Sequence, residues 1–391
     1  KFNFFRYLLV MNDKNKYQLG IQEFNAAYVP QYQEVIRNKP WVFFGDDNQF
    51  PNHLLTVYQY SPITRACANA TIYGVKGKNL FVKEGDPNRI AMANRSETLY
   101  EVYEKCVVDR IIFGGFALNI VKSNDGGIAE IYHTDFSRLR AGKEDMFGNV
   151  GTYYYSVDWK GTQINPQKWK PVELPAFNMT TDESPSQIYY AKRYSPMMSY
   201  YPPCDWIASL TTAQLDIEIR NFHLNNTQNS MMPSMAVSFT NGVPSEEERD
   251  ILMRQLEAKY TSTNNAGKIF LFFSENPETQ PVISPLPNNA SDAWYSNMAP
   301  QIDQTILTAW GISSPMLLGI KTEGQLGGRT EMLDAYNLFL QTRIIPIQEE
   351  ILAHLQKLLF LRDKQPIHLG IEQNQILPDE EQSKVDIKEG I

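Results

Sequence analysis

Apolar residues recur every three or four positions in several long stretches of this chain, and segments of alternating apolar and polar residues separate them. Ile63, Ala66, Cys67 and Ala70 share one face of a helix predicted from Ser61-Pro62 to Ile72, with proline suited to its first turn. A second helix is predicted over 96–110, with Ser96 as N-cap and Leu99, Tyr103, Cys106 and Val107 on its apolar stripe. Residues 111–190 read mainly as strands, at 111–113, 116–122, 128–133, 152–158 and 187–192. Asn124-Asp125-Gly126-Gly127 supplies the positive φ angles of a tight hairpin turn. A polar, proline-containing loop is expected over 165–186, and residues 1–60 read as an irregular, aromatic-rich lead.

After Pro202-Pro203 the pattern changes. Residues 205–229 predict a helix carrying Ile207, Leu210, Ile217 and Phe222, about 37 Å long at ~1.5 Å per residue. A compact α/β insert follows at 230–289. Its expected parts are a strand at 235–240, a turn at Asn241-Gly242, and a helix opened by the capping box Ser245/Glu248 with Leu252, Leu256 and Tyr260 on one stripe. Strands at 268–274 and 280–284 complete it. A second long helix is predicted over 290–310, with Trp294, Met298, Ile302 and Ile306 spaced by four and a kink at Pro300. A glycine-rich loop, 319–330, leads to the longest predicted helix, 331–360. Tyr336, Leu340, Ile344, Ile347, Ile351, Leu355 and Leu358 share its apolar face, and Pro346 should bend it. The tail, 378–391, holds five acids and two lysines and is expected to be extended or disordered.

Composition narrows the function classes. At 391 residues the chain can bury a large core and fits more than one domain. It begins at a lysine, so a start further upstream is expected. No apolar run approaches the ~20 residues of a membrane-spanning helix. The formal charge of −8 argues against a protein that grips nucleic acid by neutralising phosphates, but not against one that lets DNA slide. Cys67, Cys106 and Cys204 are far apart and odd in number, which suits a reducing compartment better than a disulfide or zinc framework.

Candidate chemistry is sparse. The chain has no Gly-x-x-x-x-Gly-Lys-Ser/Thr phosphate loop and no Gly-x-Ser-x-Gly elbow. Gly324-Gln325-Leu326-Gly327-Gly328 precedes a helix but follows no strand, so it reads as a loop rather than a nucleotide cradle. His53, His133, His223, His354 and His368 are scattered without metal-ligand spacing, and Asp46-Asp47 reads as a solvated turn. No catalytic residue, metal or cofactor is expected. The tyrosine runs at 153–155, 189–190 and 200–201 suit half-buried strands.

Several stretches, in order, resemble the tailed-bacteriophage portal proteins. They are the helix from Ser61-Pro62, the strand Gly114-Gly115-Phe116-Ala117-Leu118-Asn119, and Ile131-Tyr132-His133-Thr134-Asp135 after the hairpin. Further on come Asn265-Ala266-Gly267-Lys268 and Trp310-Gly311-Ile312-Ser313-Ser314-Pro315-Met316-Leu317-Leu318-Gly319, where Trp310 and Ser314 depart from the family's phenylalanine and proline. Ile344-Ile345-Pro346 resembles the family's Leu-Leu-Pro.

The resemblance implies an α+β portal fold: a wing (1–204), a first stem helix (205–229), a clip (230–289), a second stem helix (290–311), a tunnel loop (312–330), a wing/crown helical region (331–377) and the acidic tail (378–391). It implies a homo-oligomeric ring of twelve subunits at one capsid vertex, in the virion after assembly in the host cytoplasm. Its partners would be double-stranded DNA, a terminase motor, the major capsid protein and a head-tail adaptor, with no membrane. The tunnel-loop residues expected nearest DNA are Lys321, Glu323, Gly324, Gln325, Gly327, Gly328 and Arg329. The stem helices carry Asp205, Asp216, Glu218, Asp292 and Asp303 against Arg220, and of these Asp216, Glu218, Arg220, Asp292 and Asp303 are the candidates for a phosphate-repelling channel wall. A second reading, an oligomeric surface-binding or scaffold protein, rests on the aromatic and asparagine content alone; a third is a hydrolase.

Overall fold

The computed structural model describes residues 4–12, 16–24, 32–124, 126–178, 184–229, 235–239, 269–273, 291–320 and 329–374. They belong to two compact units. The first takes in 1–56, 70–205 and 340–391, and the second 57–69 and 206–339.

In the first unit the lead is more regular than its sequence suggests. β1 (Phe4–Asn12) and β2 (Lys16–Phe24) pair antiparallel, with Phe4 opposite Phe24 and Asn12 opposite Lys16. β3 (Glu34–Val35) pairs with β4 (Phe43–Phe44), and α1 (Phe50–Tyr60) follows. The first predicted helix, expected from Ser61-Pro62 to Ile72, is α2 (Pro62–Lys76), one turn longer than expected, leading to β5 (Asn79–Glu84).

α3 (Leu99–Phe113) is capped by Thr98, not Ser96: Thr98 and Glu101 bond each other's backbone N–H reciprocally. Ser96 is occupied elsewhere, since its N–H and hydroxyl both donate to Asn94 Oδ1. Residues 111–113, expected as a strand, are the last turn of α3. Gly114, at φ 87°, ends it, and a Cβ there would lie 2.3 Å from the Pro203 carbonyl oxygen.

β6 (Gly115–Lys122) and β7 (Ile128–Thr134) form the predicted hairpin, and the sheet order is β11-β6-β7, β11 being Ser186–Lys192. Before β11 come β8 (Leu139–Ala141), β9 (Thr152–Tyr155), the short α4 (Trp159–Ile164) and β10 (Val172–Pro175). β8, β9 and β10 make a second antiparallel sheet, so part of the expected loop 165–186 is a strand. α3 packs on β6 and β7 and buries Val102, Tyr103, Cys106 and Val107.

The second unit holds α5 (Leu210–Asn229), preceded by a 3-10 turn over Ile207–Ser209, then β12 (Met235–Phe239) parallel to β13 (Ile269–Phe273), and α6 (Ser291–Trp310). The expected capping-box helix and the strand at 280–284 lie outside the described residues, as does the tail.

The longest predicted helix is three pieces: α7 (Arg329–Phe339), a π-helical turn (Leu340–Ile344) and α8 (Ile345–Asp363). Pro346 sits in the first turn of α8, where its missing N–H costs nothing, and the wide turn before it absorbs the break. The break falls where the chain passes from the second unit to the first. Ile347, Ile351, Leu355 and Leu358 are buried, as their spacing requires. A strand that the pattern did not predict, β14 (His368–Glu372), then pairs with β5.

Candidate channel helices

α5 and α6 pack together within the second unit. Leu210 and Ala213 of α5 and Ile302, Ile306 and Leu307 of α6 are buried, which is the four-residue spacing expected for α6. Trp206, just before α5, stacks on Trp310 at the end of α6. Gly311, at φ 69°, closes α6. Ser314 then caps a 3-10 turn, Pro315–Leu318, by accepting the Met316 N–H, and Gly319, at φ 75°, ends it. Both departures from the portal motif thus have local roles: Trp310 as a stacking partner and Ser314 as a cap.

The predicted wall charges divide into separate environments. Asp216 is only 5% exposed. Its carboxylate accepts from Ser61 Oγ (2.9 Å) and from Arg220 Nε (2.9 Å). It ties the start of α2 to α5 and does not present an open negative charge. Asp303 is half-buried. Desolvation raises its pKa, Asp216 adds to the effect, and Arg220 opposes it. Cys67, fully buried, is pushed up to about 12 by burial, with Asp303 contributing. Glu218 and Arg220 are exposed and of opposite sign.

Asp205, counted with the stem charges in the sequence, belongs to the first unit. There it meets Arg193 (2.7 Å), Arg343 (3.1 Å) and Arg110 (3.5 Å). Asp205 and Asp216, two of the five acids counted for these helices in the sequence, therefore add no open negative charge to them. Among the described residues, the exposed positions of α6 are neutral: Ala299, Pro300, Gln301, Gln304, Thr305 and Thr308. Thr305 and Thr308 donate their hydroxyls back to the Gln301 and Gln304 carbonyls (2.8 Å each).

Asp292 and Arg329 lie in α6 and α7, but their side chains are outside the described residues, and so are Lys321, Glu323, Gly324, Gln325, Gly327 and Gly328. Sequence reasoning missed Ser61 and Thr64 as partners at this site. With its one proton given to Asp216, Ser61 Oγ accepts from the Thr64 hydroxyl, 2.9 Å away. Its only signal was its place before Pro62, which reads as a helix start.

The order of elements can now be set beside known proteins. The family model described as phage portal protein matches residues 63–389. The chain belongs to the phage portal protein family. The matched region takes in α5, the insert, α6 and α8, so the portal assignment covers the candidate helices themselves. An uncharacterized protein of Rickettsia bellii (strain RML369-C) is 28% identical over 172 residues, 42% of this chain and 41% of that relative. The chain thus aligns with less than half the length of this curated relative.

Among solved structures, a chain from the virion of a native gene transfer agent particle is similar at a TM-score of 0.55 and 16% identity. The match covers 86% of this portal chain and 89% of that one. A chain from the neck of the native particle, computed with C12 symmetry, is similar at 0.54 and 16% identity, covering 86% and 88%. At this identity the likeness is one of fold, a mixed helix-and-strand architecture shared over most of both chains.

Proposed function

We propose that this chain is the subunit of a closed ring that conducts double-stranded DNA through one vertex of a phage-like capsid. The observation that carries the reading is the portal family match across 63–389. The fold likeness to a chain of a particle neck computed with C12 symmetry supports a ring of twelve. In this reading 1–204 is the wing, α5 and α6 are the stem, and 230–289 is the clip that docks a terminase motor during packaging and a head-tail adaptor afterwards. The major capsid protein surrounds the wing. The ring itself is passive, and the motor supplies the work.

The stem chemistry suggests how DNA would slide. A wall that attracts phosphate releases counterions on contact and holds DNA in place. On the exposed positions of α6, Thr305 and Thr308 have hydroxyls already bonded to their own helix and Gln301 and Gln304 add neutral amides, while on α5 Arg220 is paired with Asp216, which leaves Glu218 as the exposed acid among the described residues of that helix. We assign the Gln301–Gln304–Thr305–Thr308 face of α6 to the channel, in place of an acidic wall. Lys321 and Arg329 flank the glycine-rich loop and would touch phosphates briefly as the backbone shifts, glycine giving that freedom.

Deleting 324–328 tests the reading. Rings should still assemble, while packaging or retention of DNA falls. Normal packaging by the deletion variant would remove the loop from the DNA path.

A further inference from the structure

Two loops of the first unit hold large apolar side chains out into solvent. Met146 and Phe147, at the tip of the β8–β9 hairpin, are 90% and 80% exposed, and Tyr194 and Met197, after β11, are 90% and 97% exposed. Neither loop is slack. Asp145 Oδ1 accepts the N–H groups of Phe147 and Asn149 (2.8 Å each), and the Asp145 N–H donates to the Asn149 carbonyl (2.9 Å). Gly148 takes φ 79° to close the turn. In the second loop Met198 N–H donates to the Ser195 carbonyl (3.2 Å), and Met197 sits at φ 66°, a strained angle for a side-chain-bearing residue.

The bases of the two loops are fastened together. Glu144 N–H donates to Tyr200 Oη (3.3 Å), and Ala141 N–H donates to Tyr201 Oη (3.1 Å). Glu34 accepts the N–H groups of Ser199, Tyr200 and Tyr201 at 2.9, 2.8 and 2.6 Å. The two loops that carry the four apolar side chains are therefore braced against each other at their bases.

Exposed apolar groups held in fixed geometry bind with little ordering cost. We infer that Met146, Phe147, Tyr194 and Met197 form one side of the contact between neighbouring copies of this chain; the inference rests on the ring reading. Area favours this occupant. Covering four such side chains removes on the order of 600 Å² from water, most of the ~800 Å² that each partner gives to a stable interface. Permanent contacts between identical subunits are the apolar class of interface. In a rotational ring the contact is head-to-tail, so these loops meet a different surface of the next subunit.

The test uses the full chain in three forms: wild type, Met146→Ser/Phe147→Ser, and a chain with a photo-crosslinking benzophenone side chain in place of Phe147. Native mass spectrometry reads assembly, and a thermal melt checks the fold. The turn is tied by Asp145 rather than by the replaced side chains, so the melt should not move. The expected result is loss of rings in the serine variant and a chain-to-chain adduct from position 147. Wild-type rings without that adduct overturn the inference, whether or not the serine variant assembles. An adduct to neutral phospholipid vesicles, with none between chains, overturns it too. A wild-type chain that makes no ring refutes the portal reading instead, and the presence or absence of the chain-to-chain adduct still decides the inference.

Discussion

The indole of Trp206 lies stacked on that of Trp310, with 5.5 Å between ring centroids and 12° between planes. The pair joins the approach to α5 with the end of α6, and both rings are almost wholly buried. Trp310→Ala should therefore cost about 3–5 kcal/mol, the range for truncating a buried large aromatic. The fall in denaturant midpoint, followed by tryptophan fluorescence, measures it. A loss below about 0.5 kcal/mol, the size of a typical surface change, would show that the junction of α5 and α6 does not depend on the stack.

Much of this arrangement is legible in the sequence, because α2, α3, α5 and α6 carry apolar residues at helical spacing and β6 and β7 flank a strong turn signal. The failures have physical causes. β1 with β2, and β14 with β5, are defined by their pairing partners, which a local pattern does not contain. The apolar run at 111–113 suits a strand or a buried helix end equally, and the Gly114 cap decided for the helix. An aspartate on a helix looks the same in sequence whether buried or exposed. Asp216 is buried because Ser61, 155 positions away, supplies a donor. Residues 321–328 of the tunnel loop, where the resemblance places most of the DNA contacts, lie outside the described residues.

Asp303 gives a pH prediction. Burial and Asp216 raise its pKa in the folded chain above the unfolded value. The native state thus holds this proton to higher pH than the unfolded chain does. The stability it contributes is complete below the ordinary aspartate range and lost as pH rises through the raised value. Asp303→Asn keeps the shape and removes the charge. The variant should match wild type near pH 3, below the ordinary aspartate pKa of about 3.9, and melt at higher temperature than wild type near pH 8. An equal difference at both values would mean that Asp303 ionises as freely when folded as when unfolded.

Arg110 anchors the first unit. It is 1% exposed and forms a two-pronged pair with Glu350, Nε to Oε1 at 2.9 Å and Nη2 to Oε2 at 2.8 Å, while also reaching Asp205. Burial works against its charge, but Glu350 and Asp205 outweigh that, and its pKa is raised. Arg110→Ala should destabilise by about 3–5 kcal/mol, as expected when one partner of a buried pair is lost. Arg110→Lys should recover little of it, since an ammonium cannot make the fork. Thermal melts of the two variants measure this, and full rescue by lysine would reduce the site to a simple charge contact.

The central claim is that copies of this chain enclose a DNA path. Electron cryomicroscopy of the purified full chain tests it most directly. The account predicts a closed ring of about twelve copies with an open axial channel wide enough for duplex DNA, and with the Gln301–Thr308 face of α6 on the channel wall. A monomer, an open filament, or a ring without a through-channel would contradict it.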